Sequence, residues 1–475
     1  MTEFISKTES VCPICLTRIE AKRVVGKDGY IHLQKCCPEH GAFDALIWEG
    51  DLESYLAWAD APEKRTPPPN ARNVEKGCPY DCGLCEDHES GSCCVLLELT
   101  NRCNLQCPVC FAAAGEGDEK DVSLAEIESH YDMLLASGGP FNIQLSGGEP
   151  TLRDDLADII AMGRKKGFSF FQLNTNGLRI AQEEGYAEFL RDAGVSCVFL
   201  QFDGLSDSTY EVLRGKPLLN LKRKAIERCS EVGLGIVLVP TVAPDVNEDE
   251  VGRIIDFAMS RHPAVRGVHF QPISYFGRYE LEDKPKITIP RMLKHIEEQS
   301  AGKLKANDFS GGGSESPYCS FHASYRKTDD GSFKVLPKRQ NSSCCDSSDT
   351  RSFVARQWSG TRTVETSSPA KTSECCSPKP ISFSIRSNKE PCCSADSYED
   401  PFDKFIEEAI RNTFTVSGML FQDASDLDLE RLRRCKISEA DSEHGIVPFC
   451  SYNLTNIRGE ALYRKSITHH LTCRV

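Results

Sequence analysis

The sequence predicts an α/β chain whose centre is a partial barrel of six β/α units. Three observations predict it. Apolar runs rich in Val, Ile, Leu or Phe recur at 95–100, 141–147, 168–175, 195–203, 235–242 and 267–274. Stretches with helical periodicity alternate with them, at 123–136, 154–166, 180–193, 219–232 and 248–261. The strand-like runs are apolar on both faces, as a parallel sheet covered by helices requires. Such a barrel keeps its chemistry at the carboxyl ends of its strands. Residues 95–280 therefore form the core, and the rest of the chain is read around it.

Residues 1–60 form a first module. Cys12-Pro13-Ile14-Cys15 is a C-x2-C knuckle, and Cys37-Pro38-Glu39-His40 is a C-x2-H knuckle. Between them, alternating residues flank Gly26-Lys27-Asp28-Gly29, a hairpin turn. Two knuckles across a hairpin present Cys12, Cys15, Cys37 and His40 to one mononuclear zinc or iron, as in zinc ribbons and rubredoxins. Cys36 is a rival for the third position.

Residues 61–94 begin with a Pro-rich extended linker, Thr66-Pro67-Pro68-Pro69. Then comes Cys78-Pro79-Tyr80-Asp81-Cys82-Gly83-Leu84-Cys85, spaced C-x3-C-x2-C, with His88, Cys93 and Cys94 behind it. Three such thiols suit an iron–sulfur cluster, with zinc as the alternative. The same spacing returns at the end of the first barrel strand as Cys103-Asn104-Leu105-Gln106-Cys107-Pro108-Val109-Cys110. Three thiolates on one loop leave an iron of a 4Fe–4S cube without a ligand from that loop, and that iron can take a substrate or cofactor. The second strand ends in Gly147-Gly148-Glu149-Pro150. The glycines allow close backbone approach to a ligand, and Glu149 can hold an ammonium. The third strand ends in Asn174-Thr175-Asn176, the fourth in Gln201-Phe202-Asp203, and the sixth carries Gln271.

Residues 281–339 form an extension with one helix over Pro290–Ser300, the proline being tolerated in its first turn. The stretch 340–395 is rich in Ser and Cys, including Cys344-Cys345, Cys375-Cys376 and Cys392-Cys393, and reads as disordered or loosely folded. Residues 396–475 form a last extension with helices over Phe402–Phe414 and Leu427–Arg434 and two separated thiols, Cys435 and Cys450.

The loop Cys103/Cys107/Cys110, followed one strand later by Gly147-Gly148-Glu149-Pro150, resembles the radical S-adenosylmethionine (radical SAM) superfamily. The resemblance implies a partial (β/α)6 radical SAM barrel and a catalytic 4Fe–4S cluster on Cys103, Cys107 and Cys110. It implies SAM held by Gly147, Gly148, Glu149 and Pro150, with Asn174, Asn176, Gln201, Asp203 and Gln271 toward ribose, substrate or adenine. It further implies reductive cleavage of SAM to a 5′-deoxyadenosyl radical, with electrons from a ferredoxin or flavodoxin. The family often has an aromatic residue just before the third cysteine; this chain has Val109 there and Phe111 beyond.

The first module, the 78–85 loop and Phe421-Gln422-Asp423-Ala424 … Cys435 … Val447-Pro448-Phe449-Cys450 together resemble the tetraether lipid synthases and the related dihydropterin methylases. This implies one or two auxiliary 4Fe–4S clusters. Cys78, Cys82 and Cys85 would hold one, with Cys94 or Cys319 as fourth ligand, and Cys435 and Cys450 would help hold another. Plain buried thiols are the rival reading for Cys319, Cys435 and Cys450, and the favoured one for Cys197 and Cys229.

Composition narrows the partners. With 56 basic and 70 acidic residues the formal charge is −14, which argues against a nucleic-acid binder. The 24 cysteines occur without a secretory h-region at the N-terminus, so metal sites in the cytoplasm are expected rather than a disulfide scaffold. No apolar run of about 18 residues predicts a transmembrane helix. The expected activity is methylation or carbon–carbon bond formation on a small molecule or lipid. A peptide-modifying maturase and a non-enzymatic metal-binding protein are the alternatives.

Overall fold

The computed structural model describes residues 2–59, 68, 70–115, 121–279, 286–312, 315–338, 351, 355, 358–359, 408 and 410–464. The linker prolines other than Pro68, the three Cys-Cys pairs and Cys473 lie outside the described residues.

The N-terminal module is a four-stranded antiparallel sheet of β1 (Glu3–Val11), β2 (Arg18–Val25), β3 (Ile31–Cys37) and β4 (Gly41–Trp48) in sequential order. Its central turn is the expected one: Gly26 N–H donates to Tyr30 O across the hairpin. A short helix, Leu52–Trp58, follows, capped by Asp51.

The barrel begins with β5 (Cys94–Glu98) and the two-residue β6 (Val109–Cys110). It continues through β7 (Asn142–Ser146), β8 (Phe171–Thr175), β9 (Cys197–Gln201), β10 (Ile236–Val239), β11 (Thr241–Val242), β12 (Val265–Pro272) and β13 (Arg278–Tyr279). The six main strands pair in parallel in the order β5-β7-β8-β9-β10-β12. Helices Leu124–Ala136, Leu156–Lys165, Tyr186–Ala193, Leu219–Glu231 and Val251–Ser260 cover their outer faces. Ser123 caps the first of these by accepting from Glu126 N–H, the half of a capping box that the sequence advertises. Val95, Leu97 and Leu99 face the helices and are buried in the main core, whereas Leu96 points inward. This alternation aims every second strand residue into the lumen.

The sheet extends beyond six units. β14 (Ser320–Lys327), β15 (Phe333–Val335), β16 (Thr413–Met419), β17 (Ile437–Asp441) and β18 (Gly445–Pro448) complete the strands among the described residues. β16 adds in parallel to β12, and β17 adds in parallel to β5. β14 and β18 then run antiparallel on the outside.

The expected helix over Phe402–Phe414 fails at its end. Residues 401–407 and 409 lie outside the described residues, and from Thr413 the chain is strand. The run Thr413-Phe414-Thr415-Val416 is β-branched and aromatic, and β12 and β14 satisfy its backbone on both sides. The helix expected over Leu427–Arg434 is observed as Leu429–Leu432, and that expected over Pro290–Ser300 as Ile289–Gln299. Two residues of the stretch read as loosely folded are packed instead. Trp358 is buried beside Phe199 in the lumen, and Arg351 donates to Pro140 O and Ser92 O.

The ribbon docks on the last extension through buried polar links. Arg23 donates to Asp428 through Nε and Nη2, Lys35 Nζ donates to Ala424 O, and Ser10 Oγ to Leu427 O. Among the described residues no helix is long and apolar enough to cross a membrane.

Candidate active site

One cavity of about 240 Å³ opens at the carboxyl ends of the barrel strands. Cys103, Cys107 and Cys110 line it, together with Gly147, Gly148, Glu149, Asn174, Asn176, Gln201 and Gln271. The structure therefore gathers most of the expected cofactor residues around one space. Pro150 and Asp203 are buried and are not among the residues that line it.

The cysteine loop is fixed by its backbone. Arg278 Nε donates to Cys107 O and Arg214 Nη1 donates to Val109 O. Asp203 holds Arg214 with both carboxylate oxygens, at 2.6 and 2.7 Å, and also accepts from Thr241 N–H. Asp203 is thus a buried brace for the loop. Burial pushes the Cys103 thiol up to about 12, as expected of a thiol held in an apolar setting until a metal takes it.

The glycines, which line the cavity, also pack closely against the cysteine loop. A Cβ on Gly147, whose φ is +116°, would sit 2.4 Å from Thr100 O, and one on Gly148 would sit 2.2 Å from Arg102 O. They let the second strand end lie against the backbone of the cysteine loop, and Gly148 N–H donates to Thr100 O. Glu149 is 1 % exposed, and its carboxylate accepts from Thr151 N–H, Thr151 Oγ1, Thr175 Oγ1 and Asn176 N–H. It ties the end of β7 to the end of β8.

Sequence reasoning missed several lining residues. Arg214, Gln144, His269, Thr241, Phe276, Phe421 and Phe449 all line the cavity. Gln144 and His269 carried a readable signal, being polar residues at inward positions of otherwise apolar strands. His269 Nδ1 lies 2.9 Å from Ser417 Oγ, and burial lowers its pKa to about 4, so it is neutral at pH 7. Lys222 is fully buried, donates to Asn176 O and Gln201 Oε1, and is lowered by burial to about 8. Val109 and Phe111 both line the cavity, so the apolar surface expected near the third cysteine is present.

The donor set fits a polynuclear cluster better than a single ion. Among the described residues the one group of Cys, His, Asp and Glu that converges as a single-ion site is in the ribbon. Cys12, Cys15, Cys37 and His40 bring their ligand atoms within 4.8 Å of one another. His40 Nδ1 is 3.5 Å from Cys37 Sγ and 3.6 Å from Cys12 Sγ. Cys36 is exposed and outside this group, which resolves the rivalry for the third position in favour of Cys37. Cys103, Cys107 and Cys110 instead ring a cavity, and a cube of irons takes its thiolates at separate corners.

Six further described cysteines fall into two groups. Cys78, Cys82 and Cys85 are buried and interact electrostatically, with Cys82 Sγ 3.2 Å from Ser451 Oγ. Cys435, Cys450 and Cys319 form a second group, in which burial first, and then the neighbouring thiols, raise Cys435. Arg431 Nη2 lies 3.5 Å from Cys319 Sγ. Cys94 stands apart on β5, its thiol accepting from Gln144 Nε2, with Cys93 beside it in sequence. The helix Phe449–Tyr452 joins these places: Phe449 lines the cavity, Cys450 belongs to the second group, and Ser451 touches Cys82. Cys197 and Cys229 are buried in apolar clusters as plain core thiols.

Comparison with known proteins follows these divisions. Residues 97–258 match the model described as the radical SAM superfamily, and residues 4–49 match the HMPTM N-terminal zinc ribbon domain. A 7,8-dihydro-6-hydroxymethylpterin dimethyltransferase of Methanocaldococcus jannaschii is 43% identical over 308 residues, 64% of this chain and 60% of the relative. An Fe-coproporphyrin III synthase of Methanosarcina barkeri is 30% identical over 185 residues, 39% of this chain and 45% of the relative. The solved structure of Streptococcus suis SuiB bound to S-adenosylmethionine aligns with a TM-score of 0.37 at 16% identity, covering 44% of this chain and 47% of that one. The chain spans between 45% and 60% of the length of the two curated relatives. Residues 97–258, which carry the cysteine loop and the strand ends described above, form a radical SAM domain.

Proposed function

We propose that this chain is a radical SAM enzyme that functionalises an unactivated carbon of a small molecule, with carbon methylation as the reaction type. The observation that carries the proposal is the single cavity on which Cys103, Cys107, Cys110 and the strand end at Gly147–Glu149 converge. The pterin methylation named for the Methanocaldococcus relative supports the reaction type. Cys103, Cys107 and Cys110 would hold a 4Fe–4S cluster. With SAM bound, such a cluster would supply the electron for reductive cleavage to a 5′-deoxyadenosyl radical able to take hydrogen from carbon.

The chain's own residues orient and exclude. Arg214 and Arg278 hold the cysteine loop by its carbonyls. Lys222 fixes Asn176 and Gln201, which we assign with Asn174 and Gln271 to SAM. The rings of Phe111, Phe276, Phe421 and Phe449 keep water from one side of the cavity. Cys12, Cys15, Cys37 and His40 are assigned to a structural zinc. Cys78, Cys82 and Cys85 on one side, and Cys319, Cys435 and Cys450 on the other, are assigned to auxiliary clusters. A ferredoxin or flavodoxin in the cytoplasm completes the scheme as electron donor.

Full-length protein reconstituted anaerobically with iron and sulfide, then given dithionite and SAM, is expected to form 5′-deoxyadenosine. Cys107→Ala is expected to form none. Equal product from both proteins, or none from the unaltered one, overturns the proposal.

A further inference from the structure

The short helix Leu429–Leu432 carries Arg431 toward the second group of thiols. Arg431 Nη2 donates to Cys319 Sγ at 3.5 Å and to Leu420 O at 3.4 Å. Its Nε is buried and has no partner. Arginine keeps its charge in any protein setting, so a guanidinium withdrawn from water needs an anion. Among the described residues no carboxylate pairs with it: Asp428 and Asp426, which act on it through space, are held by Arg23 at 2.6 Å and by Lys286 at 2.8 Å. The partners left to it are sulfur atoms.

The thiols around it fit an anionic cluster. Cys319 ends the turn before β14, Cys435 follows the Arg431 helix, and Cys450 lies in the helix Phe449–Tyr452. Cys319 and Cys450 act on Cys435, and Arg431 acts on both Cys319 and Cys450. A second donor is aimed at the same set, since Gln422 N–H donates to Cys450 Sγ at 3.3 Å. Neutral thiols are weak acceptors and do not balance a buried cation. Thiolates bound to iron do, and N–H groups pointed at their sulfurs are one of the means by which a protein tunes such a site.

The group also has a defined place. Phe421 precedes Gln422, Phe449 precedes Cys450, and Cys435 Sγ donates to the carbonyl of Ile437. Phe421, Ile437 and Phe449 line the cavity. The second group therefore stands directly behind one wall of that cavity. Cys78, Cys82 and Cys85 of the first group are outside the lining residues, as is Ser451, which touches Cys82.

We infer that Arg431 raises the reduction potential of the auxiliary cluster assigned to Cys319, Cys435 and Cys450. Reduction adds one negative charge to a cluster, and a guanidinium in contact with a ligand sulfur stabilises that charge. Arg431 thereby favours an electron held behind the cavity wall over one held where no such cation touches sulfur. It touches a ligand rather than substrate, so it is a positioning residue. The inference rests on the cluster assignment in the proposed function.

The test loads the full chain anaerobically with iron and sulfide and follows its electron paramagnetic resonance through a redox titration, with and without SAM. The signal that SAM alters marks the cluster on Cys103, Cys107 and Cys110. In Arg431→Gln, at equal iron and sulfide, a signal that SAM leaves unaltered is expected at lower potential. The expected change is tenfold or more in the reduction equilibrium, about 59 mV for one electron. Arg431→Lys, which keeps the charge but loses the planar fork, is expected to change less. The SAM-sensitive signal is expected to stay in place. An unmoved SAM-insensitive signal, an equal shift in both signals, or loss of iron and sulfide from both variants overturns the inference. If only Arg431→Gln fails to load, Arg431→Lys decides: a lowered SAM-insensitive potential supports the inference and an unchanged one overturns it. Unaltered protein with no SAM-insensitive signal overturns it too, and 5′-deoxyadenosine formed by that protein leaves the proposed SAM chemistry standing. The expected shift in a protein that forms no 5′-deoxyadenosine counts against the proposed function and supports the inference.

Discussion

In the ribbon, three thiols and one imidazole bring their ligand atoms within 4.8 Å of one another; at the barrel mouth, three thiols surround a cavity instead. Both use cysteine, and both sit where strands end. The difference lies in what surrounds the ligands. The ribbon closes its site with a fourth ligand, His40, three residues from Cys37. The barrel loop has no fourth ligand of its own, and its side toward the cavity meets Glu149, Asn176 and Gln201. A closed ligand set stabilises a fold, whereas an incomplete one facing a cavity can bind something that leaves again.

The sharpest way to break this comparison is to remove one thiol from each site. Cys37→Ala is expected to release the ribbon's ion without loss of sulfide. Structural zinc sites contribute about 10 kcal/mol or more, so residues 2–59 should become open to limited proteolysis. Cys107→Ala is expected to lower iron and sulfide together and leave that proteolysis unchanged. Metal and sulfide analysis with a proteolytic time course reads both. An unfolded barrel and an intact ribbon in the corresponding variants would reverse the assignment.

A smaller effect addresses how the two regions join. Arg23 and Asp428 are both buried, and Arg23→Ala would leave the carboxylate without its bidentate partner. The expected loss is about 3 kcal/mol, seen as a lower melting temperature. Asp428→Asn should lose less, because Thr8 Oγ1 can still donate to that side chain.

The smallest effect tests the scaffold apart from either metal. His262 packs edge-on against Phe333 and Phe414, and burial, aided by Arg266 and Lys327, holds it at about 4 against an ordinary 6.5. The folded protein therefore keeps it neutral while the unfolded chain takes up a proton below pH 6.5. Its contribution is complete above pH 6.5 and is lost as the pH falls toward 4. Allowing for partial solvent screening, the loss is about 1 to 2 kcal/mol. Melting curves at pH 7 and pH 5 should differ by this amount in the unaltered protein and by less in His262→Gln, with or without metal.

The barrel was legible because its strands and helices alternate with distinct periods, and its site because Cys103, Cys107, Cys110 and Glu149 sit where strands stop. What stayed hidden depended on distant pairing. Thr413–Met419 is a strand because β12 and β14 flank it, and its β-branched and aromatic run is decided by that pairing. The company of Cys319, Cys435 and Cys450 likewise comes from β14, β17 and β18 meeting at opposite sheet edges and the helix after them, not from spacing. Glu149 was legible as a site residue, but its four donors come from two strand ends, and Gly147 and Gly148 answer to the backbone of another loop. The phenylalanine cluster was invisible for the same reason: its members come from four separate segments.

The placement of β17 beside β5 bears on how the protein is made. Ser92 and Ser438, hydrogen-bonded at that edge, stand 346 positions apart. During synthesis the first barrel strand, which leads directly into the cysteine loop, must wait for nearly the whole chain before its outer neighbour exists. Until then its backbone groups are free to pair with another nascent chain. Slower synthesis or chaperone supply should therefore raise the yield of intact protein more than any change at the metal ligands.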